Sequence, residues 1–240
     1  MKKECQIKGK LLVLLAIFVF GTAGAANALV IDWVDWVSAD TGIAAGTLAG
    51  GTVDVTFRGS YAFFQNGETG NMTNYWSEGT PAPYTGNSVV DNAPTAAEGI
   101  ALSGAGEKTL TFSQAVSNPV FAFNSWNGTR TQSMQFNTGI TILSTGRGYW
   151  GAGTIELLSG GQGWVTMSGE PHGVLQLMGD FTAITFTDTH NEYWHGFTMG
   201  IEGVSNNNNP DPVPEPATMA LMGLGLIALA AGYRRKAKRA

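Results

Sequence analysis

Ala183-Ile184-Thr185-Phe186-Thr187 alternates apolar with polar side chains, the two-residue period of a strand with one face buried and the other wet. Four more segments alternate or nearly so: Thr109-Leu110-Thr111-Phe112, Val120-Phe121-Ala122-Phe123, Ser133-Met134-Gln135-Phe136 and Val174-Leu175-Gln176-Leu177. Gly, Asn, Ser and Pro separate them at spacings of roughly 8–12 residues, a pattern that suits an antiparallel sandwich rather than βαβ units. Val53 to Phe57, Tyr61 to Phe64, Ile140 to Leu143, Thr154 to Leu158, Trp164 to Met167 and Phe197 to Ile201 extend the set. About ten strands predict an all-β body, an antiparallel jelly-roll-like β-sandwich over residues 29–205. The stretch from Gln65 to Glu98, rich in Gly, Asn, Thr and Pro, reads as a long surface excursion, and loops of that length are functional or mobile.

Charge is distributed unevenly along the 240 residues. Between Leu29 and Asn209 the cations are Arg58, Lys108, Arg130 and Arg147, against fifteen Asp and Glu. The remaining basic residues sit in the two ends. An acidic body lacks the clustered Lys and Arg that neutralise phosphates, so nucleic acid is excluded as a partner. Asn206 to Asn209, then Pro210 and Asp211, read as part of a polar, Pro-containing linker over 206–212.

Beyond that linker the chain changes character. Val213-Pro214-Glu215-Pro216 precedes an apolar segment over 217–233, and Arg234, Arg235, Lys236, Lys238 and Arg239 follow. Ala217 to Gly232 carries no charge, and as a helix rising about 1.5 Å per residue it covers roughly 24 Å, a thin bilayer span. Pro216 suits the first turn of such a helix, where its missing N–H is not needed. The basic residues are expected to stay in the cytoplasm, which puts the body on the other side of the membrane.

This three-part segment resembles the PEP-CTERM sorting signal of exported proteins of Gram-negative bacteria. In that family the signal is the substrate of a membrane-embedded exosortase. The resemblance therefore implies that Val213, Pro214, Glu215 and Pro216 are recognised by a processing partner and have no catalytic role. It covers 213–240 and implies an anchored precursor that later reaches the cell surface or the extracellular matrix, with exopolysaccharide as an expected associate. Asn118 to Phe123, Phe181 to Thr187 and Glu192 to Thr198 are similar, more loosely, to segments of β-sandwich proteins that carry the same signal.

The other end gives an independent export signal. Lys2, Lys3, Lys8 and Lys10 precede the apolar run Leu11 to Phe20, and Ala26-Asn27-Ala28 has the small-x-small form that signal peptidase cuts. A signal peptide over 1–28 leaves Leu29 as the first mature residue. It also removes Cys5, the one cysteine, so the mature chain has no disulfide to brace it.

Chemistry is sparse. All three histidines lie between Glu170 and His195, together with Asp180, Asp188 and Glu192. His190, Glu192 and His195 are candidate ligands of a divalent metal, and Asp180 with Asp188 of a structural calcium. His195 is an odd number of residues from both His190 and Glu192, so a shared site needs a turn between them, and packing of His195 beside Trp194 is the simpler reading. No nucleophile elbow or zinc-helix motif occurs. No catalytic residue and no cofactor is assigned, and an exported hydrolase or metal-dependent enzyme acting on polysaccharide is the alternative. Seven tryptophans are many for an acidic body. Trp76, Tyr149, Trp150 and Trp194 lie in loop-like surroundings and are candidates for stacking on sugar rings.

Overall fold

The computed structural model describes residues 29–126, 133–158 and 163–202, and the regular elements within them are strands, with no helix. In chain order they are β1 (Ile31–Trp33), β2 (Asp35–Asp40), β3 (Ile43–Leu48), β4 (Val53–Arg58), β5 (Tyr61–Asn66), β6 (Glu98–Leu102), β7 (Gly106–Ser117) and β8 (Val120–Asn124). There follow β9 (Ser133–Phe136), β10 (Ile140–Gly146), β11 (Gly153–Leu157), β12 (Trp164–Gly169), β13 (His172–Leu177), β14 (Asp180–Asp188) and β15 (His195–Glu202). The signal peptide over 1–28 with Ala26 and Ala28, the linker over 206–212 and the sorting segment over 213–240 lie outside the described residues. Leu29 lies inside them, its N–H donating to the Val89 carbonyl at 2.9 Å.

Two antiparallel sheets face each other. One runs β10-β13-β8-β15-β6-β5, with β1 also paired to β15; the other runs β11-β12-β9-β14-β7-β4-β3-β2. From β6 onward the chain passes repeatedly from one sheet to the other, so β6-β15-β8-β13 lies opposite β7-β14-β9-β12. Each segment read as a strand from its alternation falls within one. In β14 Ile184 and Phe186 are buried while Thr185 and Thr187 are less so, and β4 alternates buried Val53, Val55 and Phe57 with outward Asp54, Thr56 and Arg58. Those inward faces meet in an aromatic core. Phe121 and Phe197 stack at 5.0 Å within one sheet, and Phe186 of the other sheet meets them at 5.4 and 5.7 Å. Trp36 crosses the same gap, its indole N–H donating to Thr198 Oγ1 at 3.1 Å.

The structure adds four strands to the sequence reading, β1, β2, β3 and β6. β3 is Ile-Ala-Ala-Gly-Thr-Leu, poor in the branched and aromatic residues that mark strands. Its Gly46 is required by packing: a Cβ there would lie 2.6 Å from both the Asp35 carbonyl and Val34 Cγ1.

The segment between β5 and β6 is a correction. Rather than standing off the body, it covers the outer face of the β8-containing sheet. Trp76, Tyr84 and Val90 pack there on Ile31, Trp33, Val120, Ala122 and Val174 in a second apolar cluster, which is why β8 is buried along its whole length. Irregular backbone can lie against a sheet only if its polar groups are satisfied, and short Asn and Glu side chains do this. Asn87 accepts from the N–H groups of Val89 and Val90, each at 2.8 Å, and Glu78 accepts from those of Tyr84 and Thr85. Asn92 brackets Ile31, accepting from its N–H and donating to its carbonyl.

Candidate functional site

Three connections bring aromatic rings to one patch beside β5. The β5–β6 segment supplies Tyr75, the turn after β10 supplies Tyr149 and Trp150, and the β14–β15 connection supplies Trp194. Phe63 of β5 lies behind them. Ring centroids are 4.9 Å apart for Phe63 and Trp194, 5.0 Å for Tyr75 and Trp194, and 5.2 Å for Tyr75 and Tyr149. Tyr75 and Trp150 lie nearly parallel, 20° apart in plane at 6.1 Å. Edge and offset contacts of this kind hold rings in fixed orientations. Tyr149 and Trp150 are each 47% exposed and the adjoining Tyr193 is 90% exposed, so part of this aromatic surface faces solvent.

The patch contains three of the four aromatic candidates from the sequence. Trp76 is the exception and a correction: it is 3% exposed, packs on Tyr84 at 5.5 Å and donates its indole N–H to the Glu98 carbonyl. It is a core residue and presents no face to a ligand.

His172 supports the patch from below. Its Nδ1–H donates to the Glu170 carbonyl at 2.9 Å, which leaves Nε2 to accept from the Trp150 backbone N–H at 3.4 Å. Acceptance at Nε2 requires the neutral ring, whereas the bond from Nδ1 is open to either charge state. Burial pushes its pKa below the ordinary imidazole value, against the opposing effect of the Glu170 carbonyl. The turn over 148–151 closes on itself through paired bonds between Gly148 and Gly151 and sits directly on this ring.

A second cluster lies on the inner side of the β14–β15 connection. Lys108 of β7 and Asp188 of β14 form an ion pair at 2.7 Å, with side chains 0% and 4% exposed. The same Nζ donates to the carbonyls of Gly104 and Gly106. His195 Nε2 is 3.6 Å from Asp188 Oδ2, and His195 Nδ1 is 3.4 Å from Glu192 Oε2. Burial opposes ionisation of Asp188, yet His195 and Lys108 outweigh it and hold the carboxyl below its usual range. Burial likewise works against the His195 imidazolium, and Asp188 with Glu192 outweighs it and raises that pKa. His195 packs on Trp126, at 4.7 Å between centroids, and not beside Trp194.

Lys108 was absent from the candidates, although a signal for it existed. Lys108, Leu110 and Phe112 share one phase of β7, as Ile184, Phe186 and Asp188 share one of β14. A charge in phase with a buried apolar row must enter the core and needs a partner there.

The candidate cation ligands gather only in part: Asp188, Glu192 and His195 meet, whereas Asp180 and His190 stand apart. Asp180 and Asp188 stand at opposite ends of β14, roughly 27 Å apart at strand rise, and Asp180 bonds Ser117 Oγ. His190 is exposed and bonded to Thr189 through Nδ1 at 2.7 Å. Among the described residues no group of three His, Cys, Asp or Glu side chains is placed to hold a metal ion. A cavity of about 590 Å³ is bordered by Leu29, Ile31, Val116, Val120 and Ile201, with Glu202 the acidic residue on its wall.

Residues 212–236 match the family model of the PEP-CTERM protein-sorting motif. No curated protein and no solved structure matches the chain. The match places Val213, Pro214, Glu215, Pro216 and the basic residues up to Lys236 within a sorting motif, the mark of an exported protein processed by exosortase.

Proposed function

We propose that this exosortase-sorted protein displays a non-enzymatic, glycan-binding body at the cell surface or in an extracellular matrix rich in exopolysaccharide. The observation that carries the reading is the meeting of Tyr149, Trp150 and Trp194, from two separate connections, on one partly exposed patch, while Trp33, Trp36, Trp76 and Trp126 are buried. Aromatic faces accept the C–H faces of pyranose rings, and a rigid cluster does so at little cost in side-chain entropy. With Lys108 internal, few cations remain on the acidic body, which favours a neutral polysaccharide over an anionic one. The strand order fits a jelly-roll-like sandwich, an architecture also used by lectins, and this counts only as analogy. In the precursor, a signal peptide over 1–28 directs export and a helix over 217–233 spans the inner membrane. The body then lies on the non-cytoplasmic side until exosortase acts.

Tryptophan fluorescence titration against neutral soluble glucans and galactomannans, beside a reducing-end assay on the same glycans, tests this reading. Binding is expected in the millimolar range without turnover, and Trp150→Ala or Trp194→Ala should weaken it at least about tenfold, near 1.4 kcal/mol. Binding unaffected by both substitutions refutes the patch. Turnover abolished by Glu192→Ala or Asp188→Ala would instead establish the hydrolase.

A further inference from the structure

We propose that Lys108 and Asp188 condense into an amide that covalently joins β7 to β14. The two strands are antiparallel neighbours, with Phe186 opposite Lys108 and Asp188 opposite Gly106. Asp188 is therefore two residues from the position facing Lys108 and on the same face, within diagonal reach of a long side chain. Nζ and Oδ2 are 2.7 Å apart, and both side chains are almost wholly withdrawn from water. The carbonyls of Gly104 and Gly106 fix the nitrogen at 2.9 and 3.1 Å. Gly59 fits the stem closely, since a Cβ there would lie 2.5 Å from Lys108 Cγ. Reactants held this way need no encounter step, the largest saving that enclosure offers a condensation.

The reaction balances without a co-reactant. One proton passes from Nζ to Asp188 Oδ2, giving a neutral amine beside a neutral acid. The nitrogen lone pair attacks Cγ and the C–N bond forms. The C–O bond then breaks, and the oxygen leaves as water carrying two of the three ammonium protons, while the third stays on the amide nitrogen. Nothing is oxidised or reduced. His195 Nε2, at 3.6 Å from the same Oδ2, is placed to protonate the departing oxygen and to be restored by the proton the nitrogen sheds, with Glu192 at 3.4 Å behind it. The ammonium–carboxylate pair becomes a neutral group, which removes the desolvation cost of two buried charges.

Intact-mass spectrometry of the denatured full chain, followed by proteolytic mapping, decides the matter. The wild-type chain is expected to weigh one water less than its own termini require, with a branched peptide linking Lys108 to Asp188. Lys108→Arg should restore the full mass. If that variant does not fold, the wild-type peptide map is sufficient alone. A full wild-type mass with separate Lys108 and Asp188 peptides overturns the proposal, as does a water loss mapped to any other residues.

Discussion

Gly148→Ala should unseat the turn that carries Tyr149 and Trp150. A Cβ on Gly148 would lie 2.0 Å from His172 Cδ2, 2.4 Å from Cγ and 2.7 Å from Nε2, whereas carbon atoms in contact prefer about 3.5–4.0 Å. The imidazole cannot easily yield, because it is buried and bonded on both nitrogens. The turn must therefore lift by about 1.5 Å. Overpacking of this kind costs about 1–3 kcal/mol, and the lost bond from Trp150 N–H to His172 adds about 1 kcal/mol, for a total of about 2–4 kcal/mol. At about 2–4 °C per kcal/mol for a domain of this size, Tm should fall by about 4–16 °C. Gly139→Ala is the control, since nothing lies within 4 Å of a Cβ there, and it should change stability by no more than about 0.5 kcal/mol. Urea denaturation measures the difference, and near-UV circular dichroism reports the packing of the Tyr75, Tyr149, Trp150 and Trp194 rings. Equal stability of the two variants, with unchanged near-UV spectra, would refute the seating of the turn on His172.

Trp76→Ala should cost about 3–5 kcal/mol in denaturant unfolding, as expected for a core aromatic, while Trp150→Ala should cost less than about 1 kcal/mol. The reverse order would place the binding surface elsewhere. His172 should remain neutral at pH values where a peptide histidine is already protonated, as followed by its imidazole resonances. Its folded-state pKa is depressed, so the unfolded chain takes up the proton first. The stability His172 contributes is complete above about pH 6.5 and declines as pH falls below that value, and a His172 titrating at the ordinary value contradicts its packing. Replacing Pro214, Glu215 and Pro216 by Ala should leave Arg234 to Arg239 on a protein that the wild-type host would otherwise trim. Intact masses identical for the two chains would show that this segment is not processed.

The sheets were legible because alternation is a local property. Ile184 and Phe186, or Val53, Val55 and Phe57, show their inward phase without knowledge of what they meet. β3 was hidden because Ala44, Ala45 and Gly46 owe their strand conformation to pairing with β2 and β4 and not to their own preference. The aromatic patch was legible in its members but not in its limits. Trp76 and Trp150 both follow a tyrosine in a loop-like stretch, and they are separated only when the β5–β6 segment folds onto the sheet and carries Trp76 inside. Lys108 and Asp188 differ again. Each lies in phase with a buried row on its own strand, so the sequence holds both conflicts but not the fact that they answer each other. Pairing of β7 with β14 supplies that fact. A lone buried charge would be costly at either position, and the two together are tolerable only in this register. The Lys108–Asp188 pair therefore selects the pairing that brings the 189–194 connection over the core, with Glu192 directed inward to His195 and Trp194 outward to the patch. Core electrostatics and the candidate binding surface are opposite faces of one short loop.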